Sequence, residues 1–160
     1  MPSLREPGQR VSPRARLMWL VGGLAEGGAL LVAAVLTGWV WHWFDLPWWV
    51  VAALAVVVAG YVAVVPTWRY RVHRWEVTDS AVYTQTGWWT RERRVAPMSR
   101  IQTVDYAEGP VSRLFGLATV TVTTASAAGA LEIVGLDRGR ARALVDELTL
   151  KADTDPGDAT

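Results

Sequence analysis

Two long apolar runs, Leu17–Trp41 and Trp48–Val65, are separated only by the connector His42-Trp43-Phe44-Asp45-Leu46-Pro47. As helices rising about 1.5 Å per residue, each can cross a hydrocarbon core of about 30 Å. A connector this short forces an antiparallel hairpin, with both ends on one side and Pro47 suited to open the second helix. The first run is too long for the apolar stretch of a cleaved signal peptide. No small-x-small site follows it ahead of polar sequence, so it reads as a span. Residues 17–66 hold only Glu26 and Asp45 among the chain's charged residues. The remainder has the charge density of soluble protein. Together the two parts exclude both a fully soluble single domain and a wholly disordered chain.

Arginine gives the orientation. Arg5, Arg10, Arg14 and Arg16 precede the first run, Arg69, Arg71 and Arg74 follow the second, and the connector has no Lys or Arg. Positive charge stays on the cytoplasmic side, so both termini are expected there, in a cell membrane. Trp39, Trp41, Trp43, Trp48 and Trp49 mark the outer headgroup level, and Trp19 and Trp68 the inner one.

Within the first run, Gly23 and Gly27 are four apart, and Ala55, Ala59 and Ala63 repeat that spacing in the second. Small residues at this spacing let helices approach closely. Glu26 lies mid-span, roughly level with Tyr61 and Ala63. A protonated Glu26 bonded to Tyr61 or to a neighbouring subunit is the favoured reading. A proton or ion relay, as in an accessory subunit of a transporter, would need a second ionisable group that the spans lack.

Beyond Pro66 the pattern changes to short alternating runs bounded by turn residues. It predicts strands over Trp68–Thr78, Ala81–Thr86, Trp89–Ala96, Ile101–Ala107, Ala118–Ala125 and Ala130–Val134. A helix over Asp137–Leu150 follows, with Asp137 as its cap and Ala141, Leu144, Val145 and Leu148 on one apolar face. The expected fold is α+β: a bent antiparallel sheet or partial barrel, plugged at one end by that helix. The division is then a basic cytoplasmic tail at 1–16, a transmembrane hairpin at 17–66, a cytoplasmic domain at 67–151 and a disordered acidic tail at 152–160.

The chemistry of enzymes is hard to find. Without cysteine there is no disulfide, thiolate metal site or thiol nucleophile. His42 and His73 fall on opposite sides of the bilayer, so they make no metal site. No serine has a nucleophile-elbow context, and no phosphate or dinucleotide loop is present. The basic excess over 67–151 is modest and carries no nucleic-acid motif. The chain therefore reads as non-enzymatic, with no cofactor, metal or nucleic acid, and no small-molecule substrate is identified.

Two segments carry a family resemblance. Pro97, Arg100, Ile101, Gln102 and Val104 form P-x-x-R-I-Q-x-V, and Gly109-Pro110 with Arg113, Phe115, Gly116 and Leu117 forms G-P-x-x-R-x-F-G-L. This pair, in this order, resembles the bacterial pleckstrin-homology-like domains, and the preceding hairpin resembles their small two-span membrane-anchored members. The resemblance implies a pleckstrin-homology-like partial barrel with a C-terminal capping helix, held at the cytoplasmic membrane face. It brings no catalytic residues, and fold alone gives no function. Physically, Pro97 ends a strand by lacking a donor. Arg100 and Arg113 either bind an anion, headgroup or acidic partner, or pair with Asp105 or Glu108. Leu114-Phe115-Gly116-Leu117 reads as a core-packing turn, with Gly116 in a conformation other residues resist.

Arg91, Arg93 and Arg94 with Trp88 and Trp89 make a basic, aromatic hairpin tip beside Gly87. It is either a solvated strand edge with partly buried indoles or a tip that touches anionic lipid. The expected function is a membrane-anchored interaction or assembly module, partnered by a membrane protein or by itself in the lipid bilayer. The alternative is an anionic-headgroup sensor.

Overall fold

The structure is a computed structural model describing residues 6–43, 45–87, 90–125 and 129–154. The apolar runs form helix α1, Arg14–Val35, continued by one wide turn over Leu36–Val40, and helix α2, Trp48–Val72. They pack against each other as an antiparallel hairpin. Both are long and apolar enough to cross a membrane, and most of their side chains face outward.

α2 corrects the first expected strand. Trp68–Val72 is helical, and the strand β2 covers only Arg74–Val77. Pro66 lies inside the helix rather than ending it. A proline in an apolar helix is tolerated where neighbouring groups satisfy the freed backbone.

Residues 6–16 also depart from a free tail. Gln9–Arg10 forms a short strand, β1, on β2, and Val11, Ser12 and Ala15 are buried in the domain. Strands β3 (Ala81–Thr86) and β4 (Glu92–Pro97) complete an antiparallel sheet of order β1-β2-β3-β4. A 3-10 turn over Met98–Arg100 leads into β5, Ile101–Ala107. After the short helix α3, Pro110–Leu114, strands β6 (Leu117–Thr124) and β7 (Leu131–Asp137) complete a second sheet of order β5-β6-β7.

Helix α4 covers Arg138–Thr154, so residues 152–154 extend it instead of starting a tail, and 155–160 lie outside the described residues. Ala141, Leu144 and Leu148 are fully buried, as the apolar face requires. They meet Val120 and Val122 of β6, Ile133 of β7, Trp75 of β2 and Met98 in one core. Alternate residues of β6 point inward, which is why its Val/Thr alternation is legible. Asp137 directly precedes α4, and its Oδ1 accepts a hydrogen bond from the Ser12 hydroxyl at 3.1 Å.

Candidate membrane-facing surface

The start of α1 is built into the domain core. Ala15 and Met18 are buried with Val11 in the same cluster as Leu117, Leu136 and Leu144. The Ser12 N–H donates to the Gly135 carbonyl at 2.9 Å. Gly135 has φ +84°, and a Cβ there would lie 2.6 Å from the Ala15 Cβ. Only glycine meets both demands, a left-handed backbone and contact with a helix.

The end of α2 is joined as firmly. His73, expected in a strand, instead follows the last turn of α2 and is buried. Its ring packs edge-on against Trp19 with centroids 5.4 Å apart, and the Arg69 guanidinium lies 4.6 Å from the Trp19 ring centre. Burial, then the Arg69 charge, lowers the His73 pKa to about 4, so the imidazole is neutral at pH 7. The Gln85 side-chain amide donates to the Val72 carbonyl at 3.2 Å, tying β3 to the helix end.

That tie carries the β3–β4 hairpin to the C-terminal end of α2. Arg91 shares a cavity of about 250 Å³ with Trp68, Arg71, Arg74 and Gln85. Arg93 Nε donates to the Gln85 side-chain Oε1 at 3.0 Å, and the guanidinium pairs with Glu6 at 3.1 Å. Arg94 donates to the Ala130 carbonyl at 3.2 Å and pairs with Glu92 at 3.3 Å. The three arginines thus spread out: Arg91 lies with Arg71 of α2 and Arg74 of β2, Arg94 and Arg100 line a second cavity of about 340 Å³, and Arg93 lies between, lining the second cavity while bonded to Gln85 and Glu6 of the first. Trp88 and Trp89 lie outside the described residues.

The family-like segments meet near α3. Pro97 is the last residue of β4, Met98 fills the core behind it, and Ile101 and Val104 pack on the core while Gln102 is exposed. Arg113 lies 3.8 Å from Glu108, whose carboxylate also meets Arg138 at 3.2 Å and Arg142 at 4.0 Å. The Tyr106 hydroxyl donates to the same carboxylate. That hydrogen bond, aided by the three guanidinium groups, holds the Glu108 carboxyl below its ordinary range. The same hydrogen bond, and then burial, raises the Tyr106 hydroxyl against the opposing pull of Arg142. This cluster spreads from β5 to α4, so only its Arg113–Glu108 leg was visible in sequence.

The turn after α3 is only partly core. Phe115 packs on the core, Leu117 is fully buried, and Gly116 has φ +67°. Leu114, expected inside, is 83% exposed. A five-residue helix cannot turn all its apolar residues to one side. Phe115 and Leu117 take the core, and Leu114 faces out.

Between the spans, a Cβ on Gly27 would overlap Val58 Cγ1, and one on Gly23 would reach Val62 Cγ2 at 3.4 Å. The facing residues of α2 are therefore valines, and Ala59 and Ala63 are exposed, which corrects the expected pairing of two small-residue rows. Glu26 is exposed and, with Tyr61, Gly23 and Gly27, lines an apolar groove of about 270 Å³. Among the described residues no group of three or more His, Asp or Glu is gathered to hold a metal.

The sequence has a relative that spans most of its length. The UPF0699 transmembrane protein YdbS of Bacillus subtilis (strain 168) is 29% identical over 142 residues, covering 84% of this chain and 89% of that protein. No solved structure matches. The profile described as bacterial PH domain matches residues 19–152, from inside α1 through both sheets into α4. One match thus takes in most of both apolar helices, the pair of antiparallel sheets and most of the closing helix, and the chain is a member of the bacterial PH domain family.

Proposed function

We propose that this chain is a non-catalytic, membrane-anchored interaction and assembly module that holds its PH-like domain in a fixed pose on the cytoplasmic face of the cell membrane. The observation that carries this reading is the shared core: Ala15 and Met18 of α1 pack among the buried residues of both sheets. A domain needed only near a membrane could hang on a flexible linker. One whose core includes the anchor presents the same surfaces to neighbours every time. The apolar lengths of α1 and α2 and the transmembrane relative support the spanning hairpin, and the flanking arginines support cytoplasmic termini. Glu26 adds support for assembly, because an exposed mid-span carboxylate is costly in lipid and gains from a neighbouring helix.

The test is purification of the full chain from native membrane in mild detergent. A stoichiometric protein partner, including a second copy, is expected. Enriched anionic lipid without any protein partner would favour the headgroup-sensing reading. That second reading draws on Arg91 beside Trp68, Arg71 and Arg74, which could meet anionic headgroups at about 1 kcal/mol per basic residue.

A further inference from the structure

We infer that α3 is a foot that dips into the cytoplasmic leaflet, with Leu114 and Val111 as its apolar sole. α3 has two faces. Its inner face is fixed by Phe115, just beyond its last turn and packed on the core, and by Ser112, whose hydroxyl lies 3.3 Å from Met18 Sδ in α1. Its outer face carries Val111 and Leu114, three apart and so stacked on one side. They are 40% and 83% exposed.

What covers this face follows from its level along α1. Val111 lines a cavity of about 240 Å³ with Met18, Trp19, Gly22, Val65 and Pro66. Gly22 and Val65 belong to the spans, and Trp19 with Trp68 marks the headgroup depth that indole prefers. α3 therefore meets α1 where α1 enters the lipid, and Leu17, the residue before Met18, is 53% exposed at that level of α1. The charges match an anionic leaflet: the side chains of Arg113 and Arg14, each 3.8 Å from a carboxylate (Glu108 and Asp137), are still 70% and 65% exposed, and Arg16 of α1 is exposed as well. Apolar side chains entering the acyl boundary with arginines among headgroups is how interfacial helices bind.

The inference rests on α1 and α2 crossing the bilayer but not on the identity of any partner. The absence of cysteine allows single-site labelling of the full chain. Leu114→Cys, Val56→Cys and Leu150→Cys would each carry an environment-sensitive fluorophore, in bilayers containing anionic lipid. Val56 is mid-span in α2, and Leu150 sits near the far end of α4, beside Lys151, which pairs with Asp79 in the β2–β3 turn. The Leu114 label should emit to the blue of the Leu150 label and lose intensity to shallow lipid-borne quenchers. The Val56 label should respond to deep ones. Water-like emission from Leu114 with a quenched Val56 overturns the foot and leaves the spanning reading intact. A blue-shifted Leu114 that lipid quenchers cannot reach also overturns it, because a protein then covers the face. An unquenched Val56 overturns the spanning reading, and the foot with it.

Discussion

Gly135 is where the anchor and the domain touch most closely, so Gly135→Ala tests whether they are one body. The new methyl meets two costs. The backbone at φ +84° disfavours any Cβ by about 1–2 kcal/mol. The added Cβ would also sit 2.6 Å from the Ala15 Cβ, inside a packed core, where overpacking costs about 1–3 kcal/mol. The substitution should therefore destabilise the protein by about 2–5 kcal/mol. The partner change separates the two costs. Ala15→Gly removes the clashing methyl, leaving the Ala15 Cα 3.8 Å from the new Cβ, an ordinary contact. By itself it should cost about 0.5–1 kcal/mol, the usual loss for glycine inside a helix. The double variant should then be more stable than the sum of the singles implies, by at least about 1 kcal/mol of coupling. Denaturation in mild detergent, followed by tryptophan fluorescence, measures all four proteins. Strictly additive losses would refute the contact between α1 and β7.

Three further outcomes follow from the same structure. His73 is buried neutral with its pKa near 4, against 6.5 when exposed. The unfolded chain thus binds the extra proton first, and stability should fall as pH drops from about 6.5 toward 4, by up to about 3 kcal/mol; His73→Phe should flatten this slope, and an unchanged slope would mean the ring is not buried. Gly27→Leu should lower the detergent melting temperature through collision with Val58, while Gly28→Leu, with nothing within 4 Å, should not; equal effects would contradict the helix packing. Leu144→Ala, at a fully buried site, should cost about 2–5 kcal/mol in the same assay, and a neutral result would mean α4 does not plug the sheets.

How much of this was readable in the sequence depended on whether a physical signal was local. The hairpin stood out because fifty residues with two charges have one economical solution. β6 and α4 stood out because each alternates against a single core at its own period, two for Val120 and Val122, and three or four for Ala141, Leu144 and Leu148. The end of α2 was misread because Pro66 is a breaker in water but not in a helix packed among apolar neighbours. β1 has two residues, too few to show any alternation, and only its pairing with Trp75 and Arg74 reveals it.

The functional surface was less legible for a related reason. Leu114 has the composition of a core residue, and only the placement of α3 against Met18 turns it outward. The arginines of the β3–β4 hairpin are adjacent in sequence, yet strand alternation and the ties to Glu6, Gln85, Glu92 and Ala130 send them to different neighbours. The Glu108 cluster joins β5, α3 and α4, a juxtaposition that no sequence window contains.

The claim that the anchor and the domain share one rigid core is tested most directly by a distance distribution. Spin labels at Val56→Cys, in mid-span, and Leu150→Cys, near the far end of α4, report the pose of the domain relative to the bilayer. In lipid nanodiscs, pulsed dipolar spectroscopy should give one narrow distribution, because Ala15, Met18, His73 and Val72 fix the joint from both helices. A broad distribution, of the kind a flexible tether produces, would contradict it.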